Sequence, residues 1–390
     1  MTRSTAAPIA ALIGSAFMGS VIITPLYPLY QREFGFSEIT LTLVYAVYVV
    51  GNLAALLFFG QISDRAGRKR VALPALGLAT AGTLLFVFAQ GTAWLYAGRL
   101  LIGLAVGILS GTGTAWLAEL FGPGERRAAT VTAATANLTG IAVGPLLAGL
   151  LAEYAPVPLV LPFVAYLIVL GVVATAVARA PETRRLGESR LRVRPRVGVP
   201  RERWGAFAAP AVTAFVSFAL GGLYFALIPT IVTHDLRVRN VAVSGLVVFA
   251  LGVVAAVSLV LGRRLEPARA MAGGLLCLLP AVALVVLAQA ARSMGVLLLA
   301  SAVGGVALAL GYRGSLEVVN EIAPDDRRAE VVSTYFMACF IGNSVPVIGV
   351  GVLSAVAGPL IASAVFAGTV GALAVAALGW SVRRPAHSKV

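Results

Sequence analysis

The sequence predicts an all-α integral membrane protein with twelve transmembrane helices, arranged as two pseudo-symmetric six-helix bundles. Three observations support this prediction: the composition, the spacing of the apolar runs, and an internal repeat. Of the 390 residues, 59% are hydrophobic and 12% are charged, whereas soluble domains average about 25% charged residues. Such an apolar composition leaves little sequence for a folded domain outside the membrane.

Each apolar run is long enough to cross a bilayer as a helix, because a span needs about 20 such residues. The first run is interpreted as an uncleaved helix rather than a signal peptide, since further apolar runs follow it. The runs, numbered here as spans 1 to 12, cover approximately 8–30, 39–60, 71–90, 94–119, 127–152, 158–179, 206–231, 239–262, 270–290, 295–320, 328–352 and 357–380.

An arginine-rich stretch separates the two halves of the chain. Its Pro195 and Pro200 discourage a continuous helix. We therefore expect an N-terminal bundle over 1–179, a cytoplasmic linker over 180–205, and a C-terminal bundle over 206–390 with a short cytoplasmic tail. The linker charges are of the kind that attract anionic membrane lipids, and no nucleic-acid site is expected there.

The basic residues determine the predicted orientation. If both termini are cytoplasmic, basic residues in the inside links outnumber those in the outside links by roughly six to one, as the positive-inside rule requires. The net charge of +14 then reflects topology rather than a nucleic-acid surface. The arginine-rich, short-looped chain favours a protein of the bacterial cytoplasmic (inner) membrane, expected to be a monomer.

A repeat of short basic segments supports two related halves. Pro123–Ala128 precedes span 5 with the sequence P-G-E-R-R-A, and Pro324–Ala329 precedes span 11 with P-D-D-R-R-A. Gly262–Glu266 aligns with Gly60–Asp64 at a similar offset and keeps the final acid. Segments that recur in register are typical of transporters built from parallel repeats.

The link between spans 2 and 3 carries a dense motif. It reads Gly60-Gln-Ile-Ser-Asp64-Arg-Ala-Gly67-Arg68-Lys69-Arg70, and the pattern G-x-x-x-D-R-x-G-R-K resembles the loop 2–3 signature of the major facilitator superfamily. The resemblance implies the major facilitator fold, a substrate site near the midplane between the halves, and a cytoplasmic gate whose partner is the start of span 11. Anchoring by the positive-inside rule is the alternative for the basic residues. With the repeat, the expected gate residues are Gly60, Asp64, Gly67, Arg68, Arg126, Arg127 and Glu266.

Span 4 contains an arginine inside its apolar run. Leu95–Gly107 resembles the superfamily pattern l-x-x-x-R-x-x-q-G-x-g, with Ile102 in place of the glutamine. An arginine in a span costs up to about 3.5 kcal/mol on insertion scales unless it is paired or hydrated. The resemblance implies that Arg99 acts in proton transfer and in the electrostatics of the cavity. The alternative is snorkelling to the outer headgroups.

Span 5 carries the motif that separates the subfamilies. Gly140–Leu150 resembles the g-x-x-x-G-P-x-x-G-G motif of drug/proton antiporters, with Ala148 in place of one glycine. Glycines permit close helix packing, and a proline bends a helix. The resemblance favours efflux, and close packing alone is the alternative. The motif residues are Gly140, Gly144, Pro145 and Gly149.

Carboxylates suited to proton coupling are few, and span 1 has none in its apolar run. Arg313 and Glu317 in span 10 are at i and i+4, so they share a helix face and can pair. An incoming substrate that breaks this pair would free Glu317 to take up a proton; an ion pair at the cytoplasmic rim is the alternative. Glu119, at the inner end of span 4, is a further candidate, although ordering of the span 4–5 link explains it better. Together with Arg99, these three residues are the expected coupling residues.

The expected substrate cavity is rich in aromatic residues and poor in charge. Apolar pockets with scattered polar groups bind lipophilic or amphiphilic solutes. For each aromatic residue taken singly, helix packing is the alternative role. By resemblance, the cavity residues are Tyr27, Tyr30, Tyr48, Asn52, Trp116, Asn137, Tyr224, Tyr312, Tyr335 and Asn343.

These features predict a secondary active transporter and not an enzyme. The sequence has no G-x-x-x-x-G-K-[ST] loop for an ATP-driven pump, and no metal or cofactor is expected. The expected function is proton-coupled efflux of lipophilic small molecules or drugs by alternating access, with the substrate, protons and membrane lipids as partners. The alternative is a proton symporter or facilitator for uptake of a small metabolite such as a sugar or organic acid.

Overall fold

The computed structural model describes residues 6–59, 63, 66–122, 125–183, 197–324 and 327–383. Regular structure in these ranges is helical, and they contain no strand. Twelve helices in this part of the chain are long and apolar enough to cross a membrane. The prediction of an all-α membrane protein with twelve spans is therefore confirmed.

The observed spans agree with the predicted ones to within a few residues at most ends. Span 7 ends earlier than expected, at Ala226, and the chain continues as the short helix Ile228–Thr230 and a π-helical turn, Ile231–Asp235. Pro229 lies at this break, and its missing amide hydrogen cannot continue the helical ladder. The observed spans 1 to 12 are Ala7–Phe34, Glu38–Phe58, Arg68–Val87, Thr92–Phe121, Ala128–Tyr154, Leu161–Arg179, Arg201–Ala226, Val241–Arg264, Pro267–Ala290, Met294–Ile322, Glu330–Ala357 and Pro359–Trp380.

Span 1 is interrupted in its second half. An α-helix over Ala7–Val21 gives way to a 3₁₀ turn, Thr24–Leu26, and a second α-helix over Tyr27–Phe34. Pro25 and Pro28 lie at this interruption and have no amide hydrogen to donate. The carbonyl groups of the last helical turn before the break therefore need other partners.

Glycines allow several spans to touch backbone to backbone. A methyl group added at Gly103 in span 4 would overlap the carbonyl oxygen of Tyr48 in span 2, and one at Gly140 in span 5 would overlap the carbonyl oxygen of Gly14 in span 1. Small residues at such positions are what close helix packing in membranes requires.

The helices group into two compact units. The first comprises Met1–Pro195 with Asn240–Phe249, and the second comprises Arg196–Arg239 with Ala250–Val390. In the first unit, the opening turns of span 8 pack on the C-terminal end of span 5. In the second unit, a buried cluster joins the residues just before span 7 to spans 7, 10 and 11. Its members are Val199, Phe207, Ala214, Val319, Ala323, Val331, Tyr335 and Cys339.

Candidate functional site

Span 3 begins with a buried arginine that pairs inside the first unit. The Arg68 side chain is only 2% exposed, and its Nε and Nη2 donate to the two carboxylate oxygens of Glu119 at 3.2 and 2.7 Å. Its Nη1 donates to Ser63 Oγ at 2.7 Å. A bidentate arginine–carboxylate pair is among the strongest polar contacts in proteins. The Arg68 charge is thus neutralised within the helix packing.

Glu182 caps the start of span 3 from the end of span 6. The backbone amides of Arg68 and Lys69 donate to its Oε1 and Oε2, each at 2.9 Å. The first amides of a helix have no partner inside the helix, and the helix dipole favours an acid beside them. Gly67 precedes these amides with φ +97, and a methyl group there would lie 3.0 Å from Glu182 Oε2. Backbone conformation and available space both require glycine at this position.

Thr183 closes this network, which we name the inner-end cluster: Ser63, Arg68, Glu119, Glu182 and Thr183. Its Oγ1 donates to Glu119 Oε2 at 2.5 Å. Glu119 therefore bonds to the start of span 3 and to the end of span 6, and its expected role in ordering the span 4–5 link stays a prediction. Glu182 was absent from the predicted site, although the P-E-T sequence directly after span 6 was a signal for it.

The remaining predicted gate residues are described only in part. Gly60 and Asp64, and the side chains of Arg126 and Arg127, lie outside the described residues. Glu266 lies at the start of span 9 and pairs at 3.4 Å with Arg269, whose side chain is 81% exposed. Exposed ion pairs contribute about 0–1 kcal/mol, so this contact adds little to stability. A gating role for all of these residues stays a prediction.

Arg99 points inward and binds backbone carbonyls of two other spans. It is 1% exposed, and its Nη1 and Nη2 donate to the carbonyl oxygens of Ser20 and Tyr45 at 2.7 and 3.4 Å. Its guanidinium carbon lies 4.5 Å from the ring centroid of Tyr48 and 5.3 Å from that of Tyr45. Ser20 lies in the last turn before the break in span 1, where carbonyls lack intrahelical partners. Arg99 thus joins spans 1, 2 and 4 and does not extend toward the outer headgroups.

Several polar atoms around Arg99 have no hydrogen-bond partner among the described residues. They are Arg99 Nε, the Tyr27 hydroxyl and Asn52 Oδ1, all buried. Asn52 Nδ2 donates to the Tyr48 hydroxyl at 3.2 Å, so that amide is half satisfied. In the described part of the chain, no carboxylate forms an ion pair with Arg99. Unsatisfied buried polar groups are uncommon in proteins and need an explanation.

Arg313 and Glu317 pair in span 10. Arg313 Nε lies 2.9 Å from Glu317 Oε1, and Nη2 lies 3.2 Å from Oε2. Arg313 also donates to the carbonyl oxygens of Gly262, Arg263 and Leu265, where span 8 ends. Arginine commonly satisfies the last carbonyls of a helix in this way. Arg313 therefore fixes the end of span 8, and the Glu317 side chain remains 41% exposed.

The span 5 motif packs on two sides. Gly140 and Gly144 contact the backbone of span 1, and Gly149 lies against the start of span 8. At the same end, Val241 N donates to Glu153 Oε2 at 2.7 Å, so span 5 caps the first turn of span 8. A methyl group added at Gly245 in span 8 would overlap the carbonyl oxygen of Pro145. The motif is therefore a close-packing surface within the first unit.

Most of the predicted cavity residues are buried between helices. Three of them satisfy their polar groups there: Trp116 Nε1 donates to the Pro181 carbonyl at 3.1 Å, Tyr30 OH to the Phe86 carbonyl at 3.3 Å, and Tyr335 OH lies 2.8 Å from Ser315 Oγ. Asn137 and Tyr312 are partly exposed, whereas Tyr27, Tyr30, Tyr48, Asn52, Trp116, Tyr224, Tyr335 and Asn343 are buried. A lining role for these residues stays a prediction.

The second unit contains an aromatic cluster that sequence reasoning found only in part. Phe218 contacts Tyr312 and Phe340 edge-on, with centroids 5.5 and 6.1 Å apart, and Phe340 stacks on Phe336 at 6.4 Å. All four rings are partly exposed. Only Tyr312 was predicted, because the phenylalanines are indistinguishable in sequence from ordinary packing residues.

Comparison with protein families identifies the chain. The family model described as Major Facilitator Superfamily matches residues 9–346, which is most of the sequence. The chain belongs to this superfamily. It is therefore an integral membrane transporter and not an enzyme.

Curated relatives match over a limited part of this superfamily chain. The multidrug resistance protein MdtL of Escherichia coli is 38% identical over 80 residues, 20% of each chain. The bacillibactin exporter of Bacillus subtilis is 28% identical over 144 residues, which is 35% of this chain and 36% of the exporter. The matched segments thus span between a fifth and about a third of these relatives.

Solved structures share the fold over nearly the whole superfamily chain. A bacterial homolog of the human lysosomal transporter Spinster aligns with a TM-score of 0.71 at 15% identity, covering 98% of this chain and 96% of that one. The human organic anion transporter MFSD10 aligns with a TM-score of 0.70 at 17% identity, covering 97% and 99%. At these identities the likeness shows the fold alone.

Proposed function

We propose that this superfamily transporter exports lipophilic small molecules in exchange for protons. The observation that carries the proposal is the segment Gly140–Leu150 in span 5, whose pattern resembles that of drug/proton antiporters. The two relatives described above, one named for multidrug resistance and the other an exporter, support the same direction of transport. The proposal locates the protein in the bacterial cytoplasmic membrane as a monomer, with both termini inside.

Glu317 is the proposed proton-binding group. It is paired with Arg313 and also partly exposed, so a proton or a solute can reach it without unfolding span 10. The carbonyls at the end of span 8 hold Arg313 in place independently of Glu317. Protonation of Glu317 would therefore break the ion pair without releasing Arg313 from span 8.

The test is proton movement in liposomes containing the purified full chain and a pH-sensitive dye. Lipophilic cations, acids and neutral drugs are added under an imposed proton gradient, and antiport predicts substrate-dependent proton movement. Glu317→Gln should abolish this movement, whereas Glu321→Gln, an exposed acid one helical turn further along span 10, should retain it. Solute flux without proton movement would overturn antiport and favour the alternative, a facilitator for a small metabolite. Joint movement of solute and protons in one direction would favour a symporter.

A further inference from the structure

The acidic residues of this chain avoid the middle of every span. All lie in links or within two turns of one end of a span, and Glu317 in span 10 is the most deeply placed among them. A lipophilic cation inside a membrane protein needs a nearby negative charge, because charges in this environment are costly unless paired. The sequence offers no such charge near the centre of the membrane.

Arg99 is a buried positive charge, placed slightly deeper in its span than Glu317. It lies seven residues after Thr92, the first residue of span 4, or about 10 Å along the helix at 1.5 Å per residue. It is buried, and its described contacts are two backbone carbonyls and two tyrosine rings. These contacts solvate the guanidinium without neutralising it.

Two hydrogen-bond donors beside this charge are unused among the described residues. Arg99 Nε and the Tyr27 hydroxyl are both buried without a partner, and Tyr27 follows by seven residues Ser20, whose carbonyl oxygen accepts from Arg99 Nη1. Tyr27 begins the second helix of span 1, directly after the proline-containing break. A buried charge flanked by unpaired donors is complementary to an anion.

We propose that Arg99 and Tyr27 form a subsite for the anionic group of the transported molecule. The substrate is then an amphiphile with a carboxylate or a similar acid group, and lipophilic cations are disfavoured. The anion accepts hydrogen bonds from Arg99 Nε and Tyr27 OH, so the bonds from Nη1 and Nη2 that hold spans 1 and 2 are kept. This inference rests on the proposed export of lipophilic molecules and specifies their chemistry.

The test compares three probes that share one ring system and differ in charge: 2-naphthaleneacetate, 2-naphthaleneacetamide and 2-(2-naphthyl)ethylammonium. Their dissociation constants are measured on the full chain in a neutral detergent. We expect the carboxylate to bind about tenfold more tightly than the amide, as charge-assisted hydrogen bonds imply. Tighter binding of the ammonium, equal binding of all three probes, or no binding would overturn the inference.

Variants assign the preference to the subsite. Arg99→Gln should remove the carboxylate preference, so that carboxylate and amide bind equally, and Arg203→Gln, the same charge change at an exposed position, should keep the preference. Tyr27→Phe removes an unpaired hydroxyl and should weaken carboxylate binding a few-fold, so it serves as the test if Arg99→Gln does not fold. If Arg99→Gln folds and still prefers the carboxylate to the amide, the subsite is contradicted. If Arg99→Gln does not fold, an undiminished carboxylate preference in Tyr27→Phe contradicts it.

Two further controls ask whether lipid headgroups also bind the subsite and whether this inference and proton antiport fail separately. If phosphatidylglycerol, but not phosphatidylcholine, displaces the carboxylate probe in an Arg99-dependent manner, the subsite accepts anions from lipid headgroups as well as free acids. In liposomes, ammonium export coupled to protons would support the proposed function and overturn this inference. Arg99-dependent carboxylate export without proton movement would support the inference and overturn proton antiport.

Discussion

Two buried arginines in the first unit have different partners. Arg68 is neutralised by the bidentate carboxylate of Glu119, whereas the described contacts of Arg99 are neutral carbonyls and tyrosine rings. A neutralised buried pair supports structure, and breaking it leaves a charge that water cannot reach. A buried charge without a counterion can attract a ligand of opposite charge.

Glu119→Gln should destabilise the protein by about 3 kcal/mol, because it removes the negative charge that binds the buried Arg68 guanidinium through two hydrogen bonds. Thermal unfolding in detergent measures the loss. Glu321→Gln is the control, since it removes the same charge from an exposed site at the inner end of span 10. Equal melting temperatures for the two variants would show that Arg68 finds another partner.

Glu182→Ala should cost about 1 kcal/mol, the usual cost of losing a side chain that caps a helix N-terminus. The amides of Arg68 and Lys69 would lose the oxygen atoms that accept their hydrogen bonds. Hydrogen exchange should increase at these amides in particular, and Glu202→Ala, at an exposed glutamate before span 7, should leave them protected. Unchanged exchange in Glu182→Ala would contradict the capping role.

The elements of this fold are joined by contacts that only small side chains permit. Spans 2 and 4 meet at Gly103, spans 1 and 5 meet at Gly140, and the start of span 8 meets span 5 at Gly149. Helix association in a membrane depends on van der Waals packing, because lipid provides no hydrophobic drive between helices. These glycines therefore determine how closely the spans approach one another.

Gly103→Ala should destabilise the protein by about 2 kcal/mol, since the added methyl group would overlap a backbone carbonyl of span 2. Gly111→Ala is a matched control in the same helix, where an added methyl group meets nothing within 4 Å. The control should be neutral or stabilising by up to about 1 kcal/mol, because alanine is the better helix former. Similar melting temperatures for the two variants would contradict the packing at Gly103.

At the scale of the whole molecule, the two halves of the sequence differ at the positions that the predicted repeat relates. Glu266 and Arg269, which correspond approximately to Asp64 and Arg68, form an exposed pair in the second unit. Arg99 has no charged counterpart in span 10, where Ala300 and Ser301 lie near the equivalent depth. The second unit instead offers partly exposed aromatic rings at Phe218, Tyr312, Phe336 and Phe340. The proposed anion subsite and this aromatic cluster thus lie in different halves of the chain.

If the substrate is an anion, an inside-negative membrane potential should favour its export. Moving one charge through 100 mV changes the free energy of transport by about 2.3 kcal/mol. Because about 1.36 kcal/mol corresponds to a tenfold change in an equilibrium ratio, the accumulation ratio of the anion should change about 50-fold. The measurement compares export of 2-naphthaleneacetate and its amide from liposomes with a potassium potential set by valinomycin. The carboxylate should respond to the potential by one charge more than the amide. An equal response would contradict transport of the ionised acid.

The sequence by itself determined the fold and the family. Twelve runs of apolar residues specify twelve helices, because a backbone in lipid must satisfy its hydrogen bonds within each segment. Hydropathy is a local property, so the span limits could be read within a few residues. The motifs in the span 2–3 link, span 4 and span 5 likewise lie in short stretches of sequence, which is why they were visible before the structure.

Only the tertiary structure decided which side chains meet. Glu182 contacts residues more than a hundred positions away, and Arg99 binds carbonyls of spans 1 and 2 rather than extending toward the headgroups. Such partners depend on the rotation and tilt of each helix about its neighbours, which packing sets and hydropathy does not encode. The same dependence explains why most of the predicted cavity tyrosines are buried: periodicity gives the face of a helix, whereas the neighbouring helices decide what that face contacts.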